Sequence, residues 1–173
     1  MDITTTYMGL SLKNPIIVGA SPLTASFDSI KKLEENGAAA VVLHSIFEEQ
    51  INHEAHELDY FLFKGSESYA EALGYFPEVA LSNIESDHYL DEIRHLKENV
   101  SIPVIASLNG VSKGGWIDYA KKLEQAGADA LELNITYIPA DVDVDARAVE
   151  QLYIDALSAV RANVAIPVSV KMN

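Results

Sequence analysis

Five short stretches carry the side chains best suited to chemistry: Ala20-Ser21, His44-Ser45, Ser107-Leu108-Asn109-Gly110, Asn134-Ile135-Thr136-Tyr137 and Lys171. Between them they offer hydroxyls, two carboxamides and one amine. Asn109 and Asn134 can each donate and accept hydrogen bonds at once, which suits the edge of a flat heterocycle whose N–H and C=O groups alternate. The amine of Lys171 can neutralise an anionic ring or oxygen. The plainer alternative is that these groups only satisfy one another at the rim of a core.

Each stretch lies at the end of an apolar run. Ile16 to Ser21, Ala40 to Leu43, Pro103 to Ser107, Ala130 to Leu133 and Pro167 to Lys171 read as strands buried on both faces. Between them, helical spacing predicts helices over Ser29 to Asn36, about Asp87 to Asn99, Trp116 to Ala126, and Ala146 to about Asn163. Ser26 or Asp28 caps the first of these, and Gly37 and Gly127 stop the first and third. Asn99-Val100-Ser101-Ile102-Pro103-Val104 returns as Asn163-Val164-Ala165-Ile166-Pro167-Val168, and Glu35-Asn36-Gly37-Ala38 returns as Gln125-Ala126-Gly127-Ala128, so one corner is built twice. Such alternation implies a parallel α/β sheet with right-handed crossovers.

The choice lies between an open doubly wound sheet and a (β/α)8 TIM-barrel type. Gly19-Ala20-Ser21-Pro22-Leu23-Thr24 does not supply the G-x-G-x-x-G of an open dinucleotide fold, which favours the barrel, with polar strand ends gathered at its mouth. A whole barrel takes about 250 residues. This chain has 173, enough for five strands and four helices, and is expected to be a single partial barrel domain over residues 1–173. A five-strand arc leaves two unpaired edges, so either the reading frame is truncated or a partner completes the sheet, a second copy or a missing C-terminal half-barrel.

Composition narrows the rest. Twelve basic residues against 26 acidic give a formal charge of −14, which repels phosphate backbones and anionic lipid, so no nucleic-acid or membrane partner is expected. The absence of cysteine removes disulfides, thiolate metal sites and cysteine nucleophiles. No run approaches eighteen apolar residues and the N-terminus has no signal-peptide pattern, which predicts a cytoplasmic protein.

Residues 47–86 are too long for an ordinary connection and carry Tyr60, Phe61, Phe63, Tyr69, Tyr75 and Phe76. They read equally as a cover over a planar ligand or as a satellite core. His44, His53 and His56 with Glu48 and Glu54 imitate a metal site, but His53-Glu54-Ala55-His56 lacks the H-E-x-x-H register, so no metal is expected. Asp141, Asp143 and Asp145 imitate the start of a calcium loop, yet Ala146 stands where glycine is needed and Leu152 where the bidentate glutamate belongs. They read better as an acidic approach to a helix N-terminus.

In their order, Asn14-Pro15-Ile16-Ile17-Val18-Gly19-Ala20-Ser21, Leu131-Glu132-Leu133-Asn134-Ile135-Thr136 and Pro167-Val168-Ser169-Val170-Lys171 resemble the N-terminal half of the dihydroorotate dehydrogenase family. The resemblance implies an FMN-containing barrel that oxidises dihydroorotate to orotate in pyrimidine biosynthesis. It implies that Ala20 and Ser21 lie against the flavin, that Asn109 and Asn134 contact it, and that Lys171 touches its ring system. His44 stands where the family has a lysine near flavin and substrate, and Asn134 also approaches substrate. The family's fourth strand runs on to a cysteine or serine base; Tyr137 occupies that position here, and the second asparagine is lost. The family's Asn-x-Met-Gly-x-x-Asn loop is also missing from Glu67-Ser-Tyr-Ala-Glu-Ala-Leu-Gly-Tyr-Phe-Pro77.

The resulting expectation is an FMN-dependent oxidoreductase moving a hydride between a small, pyrimidine-like substrate and flavin. Tyr137 and Lys171 are its expected catalytic residues, Ala20, Ser21, Asn109, Asn134 and Lys171 its cofactor contacts, and His44 and Asn134 its substrate contacts. The alternative is a truncated, catalytically inactive half-barrel that serves as an interaction module.

Overall fold

The computed structural model describes residues 1–49, 84–110, 113–141 and 143–172. The chain begins with an antiparallel hairpin that the sequence reading did not anticipate, β1 (Thr5–Tyr7) and β2 (Leu10–Leu12). Its two-residue turn places Met8 at φ 52° and Gly9 at φ 78°, the paired left-handed conformation that matches the twist of hairpin strands.

Five further strands pair in chain order, all parallel: β3 (Ile17–Val18), β4 (Ala40–Phe47), β5 (Val104–Asn109), β6 (Ala130–Asn134) and β7 (Val168–Lys171). Four α-helices among the described residues alternate with them: α1 (Phe27–Glu35), α2 (Ile84–Asn99), α3 (Lys113–Gln125) and α4 (Ala146–Arg161). The arrangement is a TIM-barrel type half-barrel, as the sequence pattern predicts. Strand β3 is shorter than expected, because Gly19, Ala20 and Ser21 leave the ladder and lead into a 3-10 turn at Pro22–Thr24.

Side-chain alternation explains why the sheet has two different faces. Val41, Leu43, Val104, Ala106, Leu108, Leu131 and Leu133 pack against Ile30, Ile93, Leu96, Leu123 and Val160 from the helices. Most of these side chains are fully buried, each contributing about 1.5–3 kcal/mol of apolar burial. The opposite face buries Ala40, Val42, Ile105 and Ala130 with Leu12, and Met8 and Leu10 of the hairpin join them. The hairpin therefore closes the end of the sheet where strands begin. Farther along that face the residues turn polar, and the open end is where strands finish.

The internal echo has a structural counterpart. Gly37 and Gly127 adopt φ 99° and 101°, ending α1 and α3 alike. One turn before each, a glutamate receives the next Ile-Pro corner. Glu34 accepts hydrogen bonds from the Ser101 backbone N–H at 2.7 Å and hydroxyl at 2.6 Å. Glu124 accepts from the backbone N–H groups of Ala165 at 2.7 Å and Ile166 at 3.1 Å. The acidic run ahead of α4 is helix-capping, since the Asp145 carboxylate accepts from the Ala148 N–H at 2.8 Å. No group of three or more metal-binding side chains occurs among the described residues. The aromatic segment weighed as a cover, with His53, His56 and Glu54, lies outside the described residues.

Candidate functional site

Two neighbouring cavities open at the strand ends. The first, about 670 Å³, is lined by Ala20 and Ser21 after β3, His44 and Ser45 of β4, Asn134 of β6 and Lys171 of β7. Four strands thus deliver polar groups to one place, where the sequence pattern predicts five around a single mouth. The second cavity, about 900 Å³, lies between the ends of β5 and β6 and helix α4. Asn109 and Tyr137 line this second cavity and not the first, so two expected site residues are set apart from the other five. Phe47 borders both.

A bulge in β4 shapes the first cavity. Val42 pairs with Ile105 and Ser45 with Ser107, so Leu43 and His44 together face the single residue Ala106. Extra residues of this kind bend a strand and re-aim its side chains. The buried Tyr89 hydroxyl bridges the interrupted ladder: it donates to the His44 carbonyl at 2.8 Å and accepts from the Ser107 N–H at 3.2 Å. Burial pushes the Tyr89 phenol far above its usual range, which keeps that donor protonated. The His44 ring meets the Tyr89 ring edge-on, with centroids 5.0 Å apart.

His44 Nδ1 is buried without a hydrogen-bond partner, the one side-chain atom in that state among the described residues. Behind it on α2, burial holds the half-buried Glu92 carboxyl above the usual range, an effect that His44 and His88 partly offset. The floor of the cavity is a polar ladder. Ser45 and Ser107 share a hydrogen bond of 2.7 Å between hydroxyls, and the Asn134 amide donates to Ser45 at 3.4 Å. Lys171 Nζ stands 3.8 Å from the Glu132 carboxylate.

Ser45 and Ser107 belong to the strand-end stretches that the sequence singles out, whereas Glu132 and Tyr89 support the site without having been marked by sequence. Glu132 was within reach, because Leu131 and Leu133 must face the helices and therefore turn Glu132 toward the polar face. Tyr89 gives no such signal, since its role depends on a bulge that no local pattern announces.

No family model matches the chain. Curated relatives do. The catalytic subunit of dihydroorotate dehydrogenase B (NAD(+)) from Methanocella arvoryzae is 32% identical over 174 residues, covering 99% of this chain and 54% of that protein. The corresponding Thermoplasma volcanium subunit is 30% identical over 177 residues with the same coverage. The chain is a homologue of the N-terminal portion of dihydroorotate dehydrogenase catalytic subunits. It spans about half the length of these relatives. The dihydropyrimidine dehydrogenase subunit PreA of Escherichia coli is also similar, 27% identical over 142 residues, covering 78% of this chain and 32% of that protein. Among solved structures, a dihydrodipicolinate synthase from Bacillus anthracis superposes with a TM-score of 0.51 at 17% identity, covering 90% of this chain and 44% of the other. That match speaks to the fold alone. No helix among the described residues is long and apolar enough to cross a membrane.

Proposed function

We propose that the first cavity holds the ring system of FMN and that the protein serves as an FMN-dependent oxidoreductase of dihydroorotate dehydrogenase-like type, acting on a small pyrimidine-like substrate in pyrimidine biosynthesis in the cytoplasm. The observation that carries this reading is the convergence of Ala20, Ser21, His44, Asn134 and Lys171 on one cavity. The donor set fits a flavin ring: a carboxamide that both donates and accepts, a cation, and small residues that allow close approach.

When bound, FMN supplies the hydride acceptor and donor. The chain's own residues do the remaining work. Lys171 places positive charge at the cavity wall and stabilises an electron-rich ring, while Glu132 holds the ammonium in place. Asn134 orients a ring edge, with its amide steadied by Ser45. Ala20 and Ser21 let a flat ring lie against the backbone. His44 lines the same cavity beside Ser45. Asn109 and Tyr137 face the neighbouring cavity, so neither carries a step in this reading. Residues 1–173 form one partial barrel domain in the same proposal.

The test is an absorbance spectrum of the purified chain after FMN is added and excess is removed by desalting. A retained flavin band supports the reading; a colourless protein refutes flavin binding by this chain. A second reading, an inactive half-barrel that serves as an interaction module, draws on one observation. Among the described strands β3 pairs only with β4 and β7 only with β6, leaving each an open edge. A colourless protein that self-associates would favour that reading.

A further inference from the structure

One carboxylate lies beneath the first cavity. Leu131 and Leu133 face the helices, so Glu132 between them is turned to the other face of the sheet. Register sets Glu132 between Ser107 of β5 and Ser169 of β7, and places Asn134 and Lys171, which line the cavity, one row farther toward the open end. Lys171 is therefore the diagonal neighbour of Glu132. The carboxylate and the ammonium stand 3.8 Å apart, near enough for their charges to attract and too far for a hydrogen bond. Neither side chain makes a hydrogen bond among the described residues, so the three N–H donors of Lys171 stay available to an occupant of the cavity.

The two charges are solvated differently. Lys171 keeps 48% of its side chain exposed and Glu132 only 18%, so water screens the ammonium more than the carboxylate behind it. An anion in direct contact with the ammonium would stand at most about 7 Å from Glu132. A repelling charge at that distance weakens binding roughly threefold in water-like surroundings and more than tenfold at the lower dielectric of a protein surface. A neutral ring meets no such repulsion. We propose that Glu132 is a specificity-determining residue: besides holding the ammonium, it tempers the charge of Lys171, so that this wall receives the polarised carbonyl edge of a neutral ring and disfavours a full anion such as a carboxylate. The proposal rests on the reading that the first cavity holds a ring. It also fixes an uncommon sign, because loss of Glu132 should improve the binding of anions, which damage to the fold would not imitate.

The experiment measures the binding of orotate and of its neutral methyl ester to the full chain by equilibrium dialysis at neutral pH. The two probes share one flat ring and differ in charge. Glu132→Gln should tighten orotate about threefold to tenfold and leave the ester within about twofold of its wild-type affinity. That gain should shrink at high salt. Lys171→Met should weaken orotate and spare the ester. The half-exposed ammonium stays solvated once its carboxylate is gone, so Glu132→Gln should fold. Glu132→Ala makes the same change in charge and, as a second variant, should act with the same sign. The proposal is overturned if orotate binds the folded variants no more tightly than wild type, if both probes change equally, or if neither probe binds saturably to any of the proteins. FMN retention is read in its own visible band, so failure of this proposal and failure of the flavin reading are separately visible.

Discussion

Removing one oxygen atom, by Tyr89→Phe, should cost far more than its size implies. The β4 bulge leaves the His44 carbonyl and the Ser107 N–H without ladder partners, and the Tyr89 hydroxyl satisfies both. Tyr89 is 3% exposed and Ser107 fully buried, so water cannot readily replace the lost group. Each orphaned backbone group costs about 1–3 kcal/mol, and allowing for partial relaxation the loss should reach about 2–4 kcal/mol. The phenyl ring keeps its edge contact with His44, so packing is nearly constant and the difference isolates the hydroxyl. Urea unfolding of both proteins at neutral pH should show a midpoint lowered by about 1–2 M at an unchanged slope. The pH dependence gives an independent check. The folded Tyr89 phenol ionises far above its ordinary value of about 10, so its contribution is intact below pH 10 and is lost as pH rises through the folded value. The wild type should therefore lose stability faster than Tyr89→Phe above pH 10. A variant within about 0.5 kcal/mol of wild type, with the same alkaline slope, would refute the idea that the hydroxyl bridges the bulge.

Four further outcomes follow from particular contacts. At Gly115→Ala the new methyl would overlap the buried Glu48 carboxylate, so unfolding should show a loss of about 1–3 kcal/mol, and a double-mutant cycle with Glu48→Ala should show that the two losses do not add. The Ser101 hydroxyl, by hydrogen bonding, holds the Glu34 carboxyl below its ordinary 4.5; the stabilisation is present above that pH and lost as pH falls through the folded value. Glu34→Gln should accordingly flatten the acid limb of a stability–pH curve. Lys171→Met should reduce FMN retained on desalting while leaving the urea midpoint within about 0.5 kcal/mol, because the side chain is half exposed. Glu124→Ala removes the acceptor for the Ala165 and Ile166 N–H groups, and hydrogen exchange should quicken in β7 while β5 amides keep their protection.

The sheet was legible because its signal is local and repeated. Runs such as Ala40-Val41-Val42-Leu43 and Val104-Ile105-Ala106 are apolar on both faces, and Gly37 and Gly127 mark helix ends through a backbone conformation other residues resist. The strand-end residues were legible for the same reason, since parallel topology alone brings Ser21, His44, Asn134 and Lys171 to one end. The β1–β2 hairpin was missed because its strands are three residues each and largely exposed, so Met8-Gly9 offered the only cue. The β4 bulge was missed because a register shift is a property of two strands together. With it went Tyr89, whose partners lie 45 and 18 residues away.

The division of the site into two cavities shows where reading by strand ends reaches its limit. Phe47 pairs with Asn109, Leu108 with Leu133, and Asn134 with Lys171, so Phe47, Asn109, Asn134 and Lys171 form one row across four strands. Register puts the two asparagines side by side, and the sequence treats them as equivalent. They line different cavities nonetheless. What differs is the neighbour each side chain meets. Asn134 is drawn toward the Ser45 hydroxyl, part of the polar ladder that the bulge brings into line with Ser107. Asn109 lies beside Gly110 and the indole of Trp116, at the entrance to the α4 side. A shift of one residue in β4 therefore helps decide which cavity each asparagine lines, and Phe47, the first residue of the row, is the wall that the two cavities share.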